Sequence, residues 1–105
     1  MKRKLLSLLG MATRAGKLCP GFSRCSSAIK SSKANLVIVC RDMSDKTVKE
    51  TRFLCDKFNT PLAESDITIE ELSVAIGFKA GVCAVCDAGF ARSIASLINS
   101  IGKDD

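Results

Sequence analysis

The sequence predicts an α/β protein, a three-layer α/β/α sandwich with a small, mixed four-stranded sheet, in a single domain spanning residues 1–105. Three observations lead to this fold class. Helical and strand patterns alternate along the whole chain, and the segments that connect them are short. With 105 residues, 47% of them hydrophobic, the chain is large enough for one compact core.

The first third of the chain contains a helix, a short strand and the beginning of a second helix. Residues Lys4 to Thr13 repeat apolar side chains at helical spacing, and Ala15-Gly16 ends that helix. A short strand is expected at Lys17–Cys19. The Pro20-Gly21 pair is a turn or helix-entry signal, so a second helix should begin at about Phe22.

The second helix should end at Ser31-Ser32, and a strand, a helix and a short strand follow. Asn35–Cys40 is a continuous, β-branched-rich apolar run, typical of a central parallel strand covered on both faces. Ser44 and Asp45 supply capping chemistry for a third helix that extends to Asn59. The short strand is expected at 60–63, where Pro61 can open a strand but not occupy the middle of a central one.

The last third of the chain predicts a helix, a buried strand and a final helix. Thr68 and Glu71 have the spacing of a capping box, and Gly77 ends the helix that they open. Val82–Cys86 is a second buried strand, and Asp87 caps the final helix. The apolar stripe of that helix consists of Phe90, Ile94, Leu97, Ile98 and Ile101.

Positive charge is concentrated at the beginning of the chain. The net charge is +5, yet the first acidic residue is Asp42, and nine basic residues precede it. Residues 1–41 therefore carry +9, whereas the rest of the chain has seven basic and eleven acidic side chains and carries −4. Ordinary surfaces intersperse both signs, so this asymmetry indicates a polyanionic partner, with nucleic acid or an anionic membrane as the first candidates.

The N-terminal segment does not predict a membrane anchor. No apolar run reaches the roughly 18 residues that a membrane-spanning helix needs. The opening Met1–Leu6 resembles the charged start of a signal peptide, but Ser7 and Gly10 interrupt the apolar stretch that follows. We expect a cytoplasmic protein that keeps its N-terminus.

The six cysteines are expected to be structural. Most lie in apolar or helix-periodic segments, where a thiol behaves as a small buried hydrophobe. With no histidine in the chain, a mixed Cys/His zinc site is impossible. Cys83 and Cys86 are the one close pair, and three residues apart in a strand their side chains point to opposite faces. Packing is therefore favoured over metal or redox chemistry, and no metal is expected.

Catalytic chemistry has little support in the residue inventory. Histidine, tyrosine and tryptophan are all absent, which removes the commonest general base. The glycines match neither dinucleotide nor P-loop fingerprints, so no nucleotide cofactor is expected. Cys19, just before a helix entry, is the least implausible nucleophile, but no base partner for it is visible. We therefore expect no enzyme activity and no cofactor.

The basic segment predicts a phosphate-contacting surface at the entry to the second helix. Free backbone N–H groups at that entry are joined by Lys17, Arg24, Lys30 and Lys33. Phe22 can stack on a base or pack, and packing is favoured because an apolar residue at a helix entry can act as a hydrophobic staple. With five phenylalanines and no other aromatic residue, the chain suits folded RNA better than a single strand stacked on aromatic rings.

Several stretches of the sequence resemble one known family over nearly the whole chain. They are Leu8–Leu18, Gly21, Ala28–Ile38, Asn59–Leu62, Glu70–Leu72, Ala75–Gly77 and Asp87–Ala91. The chain resembles the kink-turn-binding ribosomal-protein family of the L-seven-Ae type, and within it the small stand-alone bacterial YlxQ-like branch. This resemblance implies an α/β/α sandwich without catalysis that binds sharply kinked RNA in a ribonucleoprotein, ribosomal or translational setting.

The family's RNA-binding signature is altered in this chain. By resemblance its glycine is Gly21, but the Asn, Glu and Lys positions that read the G·A pairs hold Ser23, Arg24 and Ser27. Arg24 donates hydrogen bonds where the family's carboxylate accepts them from guanine. The family also places an apolar loop against the flipped base, and Ile67 is the candidate for that contact here.

Together these inferences predict a monomer that binds structured RNA, with ribosomal RNA as one candidate and neither DNA nor membrane as a partner. The alternative is a protein-interaction module that kept the fold and lost kink-turn recognition, and an enzyme using Cys19 is a distant third. The expected RNA-binding residues are Arg14, Lys17, Gly21, Phe22, Ser23, Arg24, Ser27, Lys30, Lys33 and Ile67.

Overall fold

A computed structural model describes the backbone of residues 2–103 and the side chains of residues 2–99. Helices and strands alternate over this range, as the sequence predicts. The helices are α1 (Lys2–Arg14), α2 (Phe22–Lys30), α3 (Asp45–Lys57), α4 (Ile69–Ile76) and α5 (Ala88–Lys103). The strands are β1 (Leu18–Pro20), β2 (Leu36–Val39), β3 (Leu62–Glu64) and β4 (Val82–Val85).

The four strands form one mixed sheet in the order β1-β4-β2-β3. Strand β2 is central, as predicted, but it is parallel to β3 and antiparallel to β4. The expectation of a central parallel strand is therefore right for one neighbour and wrong for the other. The crossover through α3 makes β2 and β3 parallel, whereas β4 enters between β1 and β2 and runs antiparallel to both.

The sheet separates two hydrophobic cores, which confirms the three-layer sandwich. The larger core lies between the sheet and helices α1, α4 and α5, and the smaller one lies between the sheet and α2 with α3. Consecutive β2 residues alternate between them, so Val37 and Val39 face the small core while Leu36 and Ile38 face the large one. Burying a Val, Leu or Ile side chain contributes about 1.5–3 kcal/mol, so both faces of β2 stabilise the fold.

Caps confirm the predicted starts of α3, α4 and α5 and the predicted end of α4, whereas α1 begins two residues earlier than predicted and α3 ends two residues earlier. The Ser44 hydroxyl accepts a hydrogen bond from the Thr47 N–H at the start of α3. Thr68 and Glu71 form a full capping box at α4, and Gly77 ends that helix in the left-handed conformation. A carboxylate oxygen of Asp87 accepts from the Phe90 N–H, 2.8 Å away, at the start of α5.

The two edge strands differ slightly from expectation. Strand β1 begins at Leu18 and includes Pro20, which an edge strand tolerates because its outer side has no partner. Strand β3 begins at Leu62, just after Pro61, whose carbonyl accepts a hydrogen bond from the Val37 N–H. Both edge strands are three residues long.

The apolar stripe of α5 packs onto the large core as predicted. Ile94 is fully buried, and Phe90, Leu97 and Ile98 pack partly buried against the same core. The side chain of Ile101 lies outside the described residues. No helix within residues 2–103 is long and apolar enough to span a bilayer.

Candidate nucleic-acid interface

The entry to α2 depends on the backbone conformation of Gly21. Gly21 has φ +92° and ψ 151°, a region that residues with a Cβ rarely adopt. Its N–H donates to the Val82 carbonyl oxygen at 2.8 Å, which fixes the turn against the neighbouring strand β4. This turn takes the chain from β1 directly into α2, so α2 begins beside the end of the sheet.

Among the described side chains, none caps the first turn of α2. Gly21 is the N-cap residue, and the first turn contains no acidic side chain. The next three residues are Phe22, Ser23 and Arg24, of which Ser23 and Arg24 are exposed. A helix N-terminus carries partial positive charge and N–H groups that suit an anion, and Arg24 adds a full charge to it.

Arg24 lies over the ring of Phe78, which follows the C-cap of α4. The guanidinium carbon of Arg24 is 5.6 Å from the ring centroid, within the range of a cation–π contact. Phe78 is 47% exposed, and a Cβ built on Gly21 would lie 4.0 Å from its ring. The α4–β4 loop thus brings an exposed aromatic ring to the α2 entry, with the exposed Lys79 next to it.

A small pocket of about 250 Å³ opens on one side of α2. Arg24, Ser27 and Lys33 line it together, so the structure groups three of the predicted residues. Lys17 lies close by, because its carbonyl accepts a hydrogen bond from the Cys86 N–H and Cys86 lines the same pocket. These four residues and Gly21 form what we call the α2-entry surface.

The other side of α2 faces α3 across a wider groove of about 430 Å³. Phe22 and Lys30 line this groove together with Lys49 and Phe53. Phe22 also packs against the small core, as favoured from the sequence, while one side of its ring stays open to the groove. Lys30 therefore points away from the pocket that holds Arg24 and Lys33.

Arg14 and Ile67 lie away from the α2-entry surface. Arg14 lines a third groove, between α1 and α4, together with Val74. Ile67 has no exposed surface and packs in the large core, so the expectation that it meets a flipped base does not fit this structure. At the entry to α2 an exposed apolar side chain is provided by Phe78 instead. The sequence signal for it was an aromatic residue directly after the helix-ending Gly77.

Most of the early positive charge is unpaired. Of the nine basic residues before Asp42, Lys2 and Arg41 form ion pairs with carboxylates. Within the described side chains no carboxylate pairs with the other seven, Arg3, Lys4, Arg14, Lys17, Arg24, Lys30 and Lys33. Their charge is therefore available to a polyanion.

Four of the six cysteines are buried, and burial raises the pKa of their thiols. The pKa rises to about 12 at Cys25 and Cys40 and to about 11 at Cys55, and it is raised further at Cys83. Cys83 and Cys86 pack on opposite sides of the sheet, as predicted. No group of three or more potential metal ligands occurs among the described residues.

The structure is an α/β/α sandwich with a basic helix entry at one end of its sheet. Comparison of the sequence with known families then identifies the family. A family model described as "Ribosomal protein L7Ae/L30e/S12e/Gadd45 family" matches residues 3–95. The chain therefore belongs to this family, which confirms the resemblance read from the sequence.

Two curated relatives are similar to the chain over nearly their full lengths. One is the RNA-binding protein YlxQ of Enterococcus faecium, 32% identical and covering 92% of this chain and 93% of its own. The other is the RNA-binding protein YlxQ of Bacillus subtilis (strain 168), 33% identical over 88% of this chain and 92% of its own.

Solved structures share the fold. A protein of unknown function from Bacillus halodurans C superposes with a TM-score of 0.86 at 35% identity, covering 91% of this chain and 97% of its own. The 15.5kD RNA binding protein of Giardia lamblia superposes with a TM-score of 0.75 at 18% identity, covering 94% and 88%. At that low identity, the second match supports the fold alone.

Proposed function

We propose that this protein is a non-enzymatic RNA-binding protein that holds structured RNA against the α2-entry surface. The observation that carries the proposal is the uncapped first turn of α2, where Arg24 stands beside the exposed ring of Phe78. Its family and the RNA-binding relatives reported above support the same function.

The α2-entry surface supplies backbone contacts first. Lys17 and Lys33 neutralise phosphates, and the open N–H groups of α2 donate to a phosphate oxygen. Gly21 lets the RNA backbone approach the helix entry, because no side chain stands there. Ser23 and Ser27, both exposed, add hydroxyl donors on the same helix.

Arg24, on the α2-entry surface, and the neighbouring Phe78 can discriminate between RNA structures. An unpaired base has an exposed π-face, and Phe78 offers a ring on which it can stack. Arg24 offers paired N–H donors to acceptors on a guanine edge or to a phosphate. The G·A pairs of a kink-turn can therefore be met through acceptor atoms, which is the opposite polarity from the family's Glu.

Phe22, Lys30 and Arg14 belong to the flanks of the proposed interface. Phe22 and Lys30 reach RNA that extends into the α2–α3 groove, and Arg14 reaches RNA that passes over α1. Ile67 is not part of the interface because it is buried. The RNA is proposed to be kink-turn-like, with ribosomal RNA as one candidate, in a cytoplasmic and translational setting.

A titration of the full chain tests this proposal. A fluorescently labelled kink-turn RNA and a plain duplex of equal length are titrated at two salt concentrations. Three contacts, by Lys17, Arg24 and Lys33, predict a slope of log affinity against log salt of roughly −2 to −3. We expect the kink-turn RNA to bind more tightly than the duplex, since the duplex offers no unpaired base to Phe78.

Charge reversal at one position locates the interface. Arg24→Glu should weaken RNA binding by about 1–3 kcal/mol, which corresponds to roughly five- to 150-fold. Arg92→Glu is the matched control, because it makes the same charge change at an exposed position on α5, a helix on the opposite face of the sheet. Equal losses in both variants, or no binding below micromolar RNA, would show that the assigned site is wrong.

A protein-interaction module is the second candidate function. The α2–α3 groove favours it, because Phe53 is 66% exposed there beside Phe22 and Leu54. Phe53→Ala should leave RNA affinity unchanged within twofold if the RNA contacts the α2-entry surface without extending into the α2–α3 groove. The protein is proposed to be a monomer. It should therefore elute as a monomer in size-exclusion chromatography with light-scattering detection at the protein concentrations of the titration.

A further inference from the structure

Cys19 and Cys86 differ from the other cysteines in exposure and position. Both are partly exposed, whereas the other four are buried. Their sulfur atoms are 3.7 Å apart, and both side chains line the pocket of about 250 Å³ beside α2. Oxidants of small size can therefore reach both sulfurs from solvent.

The strand register explains why the two sulfurs meet. Cys19 of β1 pairs with Ala84 of β4, and Cys86 lies two residues beyond Ala84 on the same face of the sheet. The Cys86 N–H donates to the Lys17 carbonyl oxygen at 2.8 Å, so the two chain segments remain hydrogen-bonded next to the pair. The pairing of β1 with β4 therefore places the two sulfurs next to each other.

We propose that Cys19 and Cys86 are an oxidisable pair that forms an intramolecular disulfide when the protein meets a peroxide. A disulfide has an S–S bond of about 2.05 Å, so the sulfurs must approach by about 1.7 Å. Strand β1 is an edge strand and Cys86 lies just after the last residue of β4, so both segments can yield by this amount. The inference is independent of the proposed RNA function.

The reaction consumes one peroxide and releases two waters. One thiolate attacks a peroxide oxygen, an S–O bond forms as the O–O bond breaks, and the leaving hydroxide takes a proton to become water. The second sulfur then loses its proton and attacks the sulfenic sulfur, so that an S–S bond forms and the S–O bond breaks. The hydroxide that leaves takes that proton and becomes the second water, and the two sulfurs have together lost two electrons to the peroxide.

The surroundings of Cys86 slow the step in which its own thiolate attacks. Burial and the hydrogen bond with Cys19 raise the pKa of the Cys86 thiol to about 11, although Lys33 and Lys17 act in the opposite direction. Because the thiolate is the nucleophile, oxidation should be slow at neutral pH and faster at pH 9 than at pH 7. A slow, reversible disulfide suits a reducing compartment, where such bonds are transient.

Peptide mapping of the whole protein tests the pair. The protein is treated with hydrogen peroxide at pH 9, its remaining thiols are alkylated, and trypsin then separates peptide 18–24, with Cys19, from peptide 25–30, with Cys25. We expect the alkylatable thiols to fall from six to four and the intact mass to drop by two hydrogen atoms. Peptide 18–24 should be linked to peptide 80–92, and fragmentation should place the link at Cys86 rather than Cys83.

Single serine variants complete the test. In Cys86→Ser, Cys19 should be trapped by dimedone as a sulfenic acid with no cross-link, and in Cys19→Ser no cross-link should involve Cys86. Both positions are partly exposed, so circular dichroism should show that each variant keeps the fold. Two results in the protein without substitutions would overturn the proposal. One is a disulfide from Cys19 or Cys86 to Cys25, and the other is separate oxidation of the two sulfurs with no disulfide between them.

Discussion

Helices α2 and α4 begin in opposite ways. At α4 the Thr68 hydroxyl accepts from the Glu71 N–H at 3.1 Å, and the Glu71 carboxylate accepts from the Thr68 N–H at 2.9 Å. A carboxylate oxygen of Asp42 accepts from the Ile69 N–H, also at 2.9 Å. At α2 no side chain within residues 2–99 accepts a hydrogen bond from the first turn. The α4 N-terminus is therefore closed by the protein itself, whereas that of α2 stays open to a ligand.

The third residue of each helix makes the contrast sharper. Counting from the N-caps Gly21 and Thr68, this position is Arg24 in α2 and Glu71 in α4. A carboxylate there stabilises a helix through its dipole and a cation does not. The α4 entry thus stabilises the fold. The α2 entry lacks this stabilisation and instead has a surface that attracts anions.

Changing the N-cap glycine of α2 should have the largest effect on stability. Gly21→Ala forces a Cβ into a backbone region that is nearly exclusive to glycine, which should lower the free energy of unfolding by about 1–3 kcal/mol. Urea denaturation followed by circular dichroism measures this loss. Gly77→Ala is the comparison, since its left-handed conformation is open to other residues at about 1 kcal/mol. A Gly21→Ala protein as stable as the wild type would contradict the described turn.

Removing the α4 cap should have the next largest effect. Thr68→Ala deletes the acceptor for the Glu71 N–H and should cost about 0.5–2 kcal/mol of unfolding free energy in the same denaturation experiment. Ser23→Ala, near the start of α2, should change stability by less than about 0.5 kcal/mol because its side chain caps nothing. Equal losses in the two variants would remove the contrast between the helix entries.

The Glu71 carboxylate makes the α4 entry sensitive to acid. The hydrogen bond from the Thr68 N–H, together with nearby Lys2, lowers the pKa of Glu71 below its ordinary 4.5. A lowered pKa in the folded state adds stability at higher pH, and this contribution is lost as the pH falls below about 4.5. Thermal unfolding between pH 6 and pH 3 should show a smaller acid loss in Glu71→Gln than in the wild type.

The smallest expected effect on stability is that of Arg24→Glu. A carboxylate in the first turn gains about 0.3–1 kcal/mol from the helix dipole, and losing the cation–π contact with Phe78 costs about 0.5–1 kcal/mol. The two should nearly cancel in the free energy of unfolding, although RNA affinity should fall by roughly fivefold or more. A variant that lost stability and affinity together would mean that Arg24 acts through the fold.

The fold was predictable because its signals are local. Each boundary of a helix or strand is determined by nearby residues. Examples are the buried apolar runs of the strands, the capping box at Thr68 and the helix-ending Gly77. The antiparallel insertion of β4 was not predictable, since strand order depends on contacts between segments that are far apart in sequence. The same limit applies to Cys19 and Cys86, which lie 67 residues apart.

The candidate site was predictable in its charge and less so in its shape. The clustering of basic residues before Asp42 pointed to α2, and Arg24, Ser27 and Lys33 do line one pocket. Ile67 was selected as the apolar residue of the loop at 65–68. The composition of a loop does not reveal whether such a side chain is exposed, and Ile67 is buried. Phe78 was missed because its position beside Arg24 depends on the path of the α4–β4 loop, which the sequence pattern does not determine.

The shortness of the two edge strands has a consequence for the protein's behaviour at high concentration. Exposed strand edges offer unpaired N–H and C=O groups on which another chain can build a continuous sheet. Strands β1 and β3 each have a free edge that is only three residues long, and Pro20 in β1 has no N–H to donate. The sheet is thus poorly suited to recruit further strands, and this protects a small chain rich in buried apolar residues from aggregation.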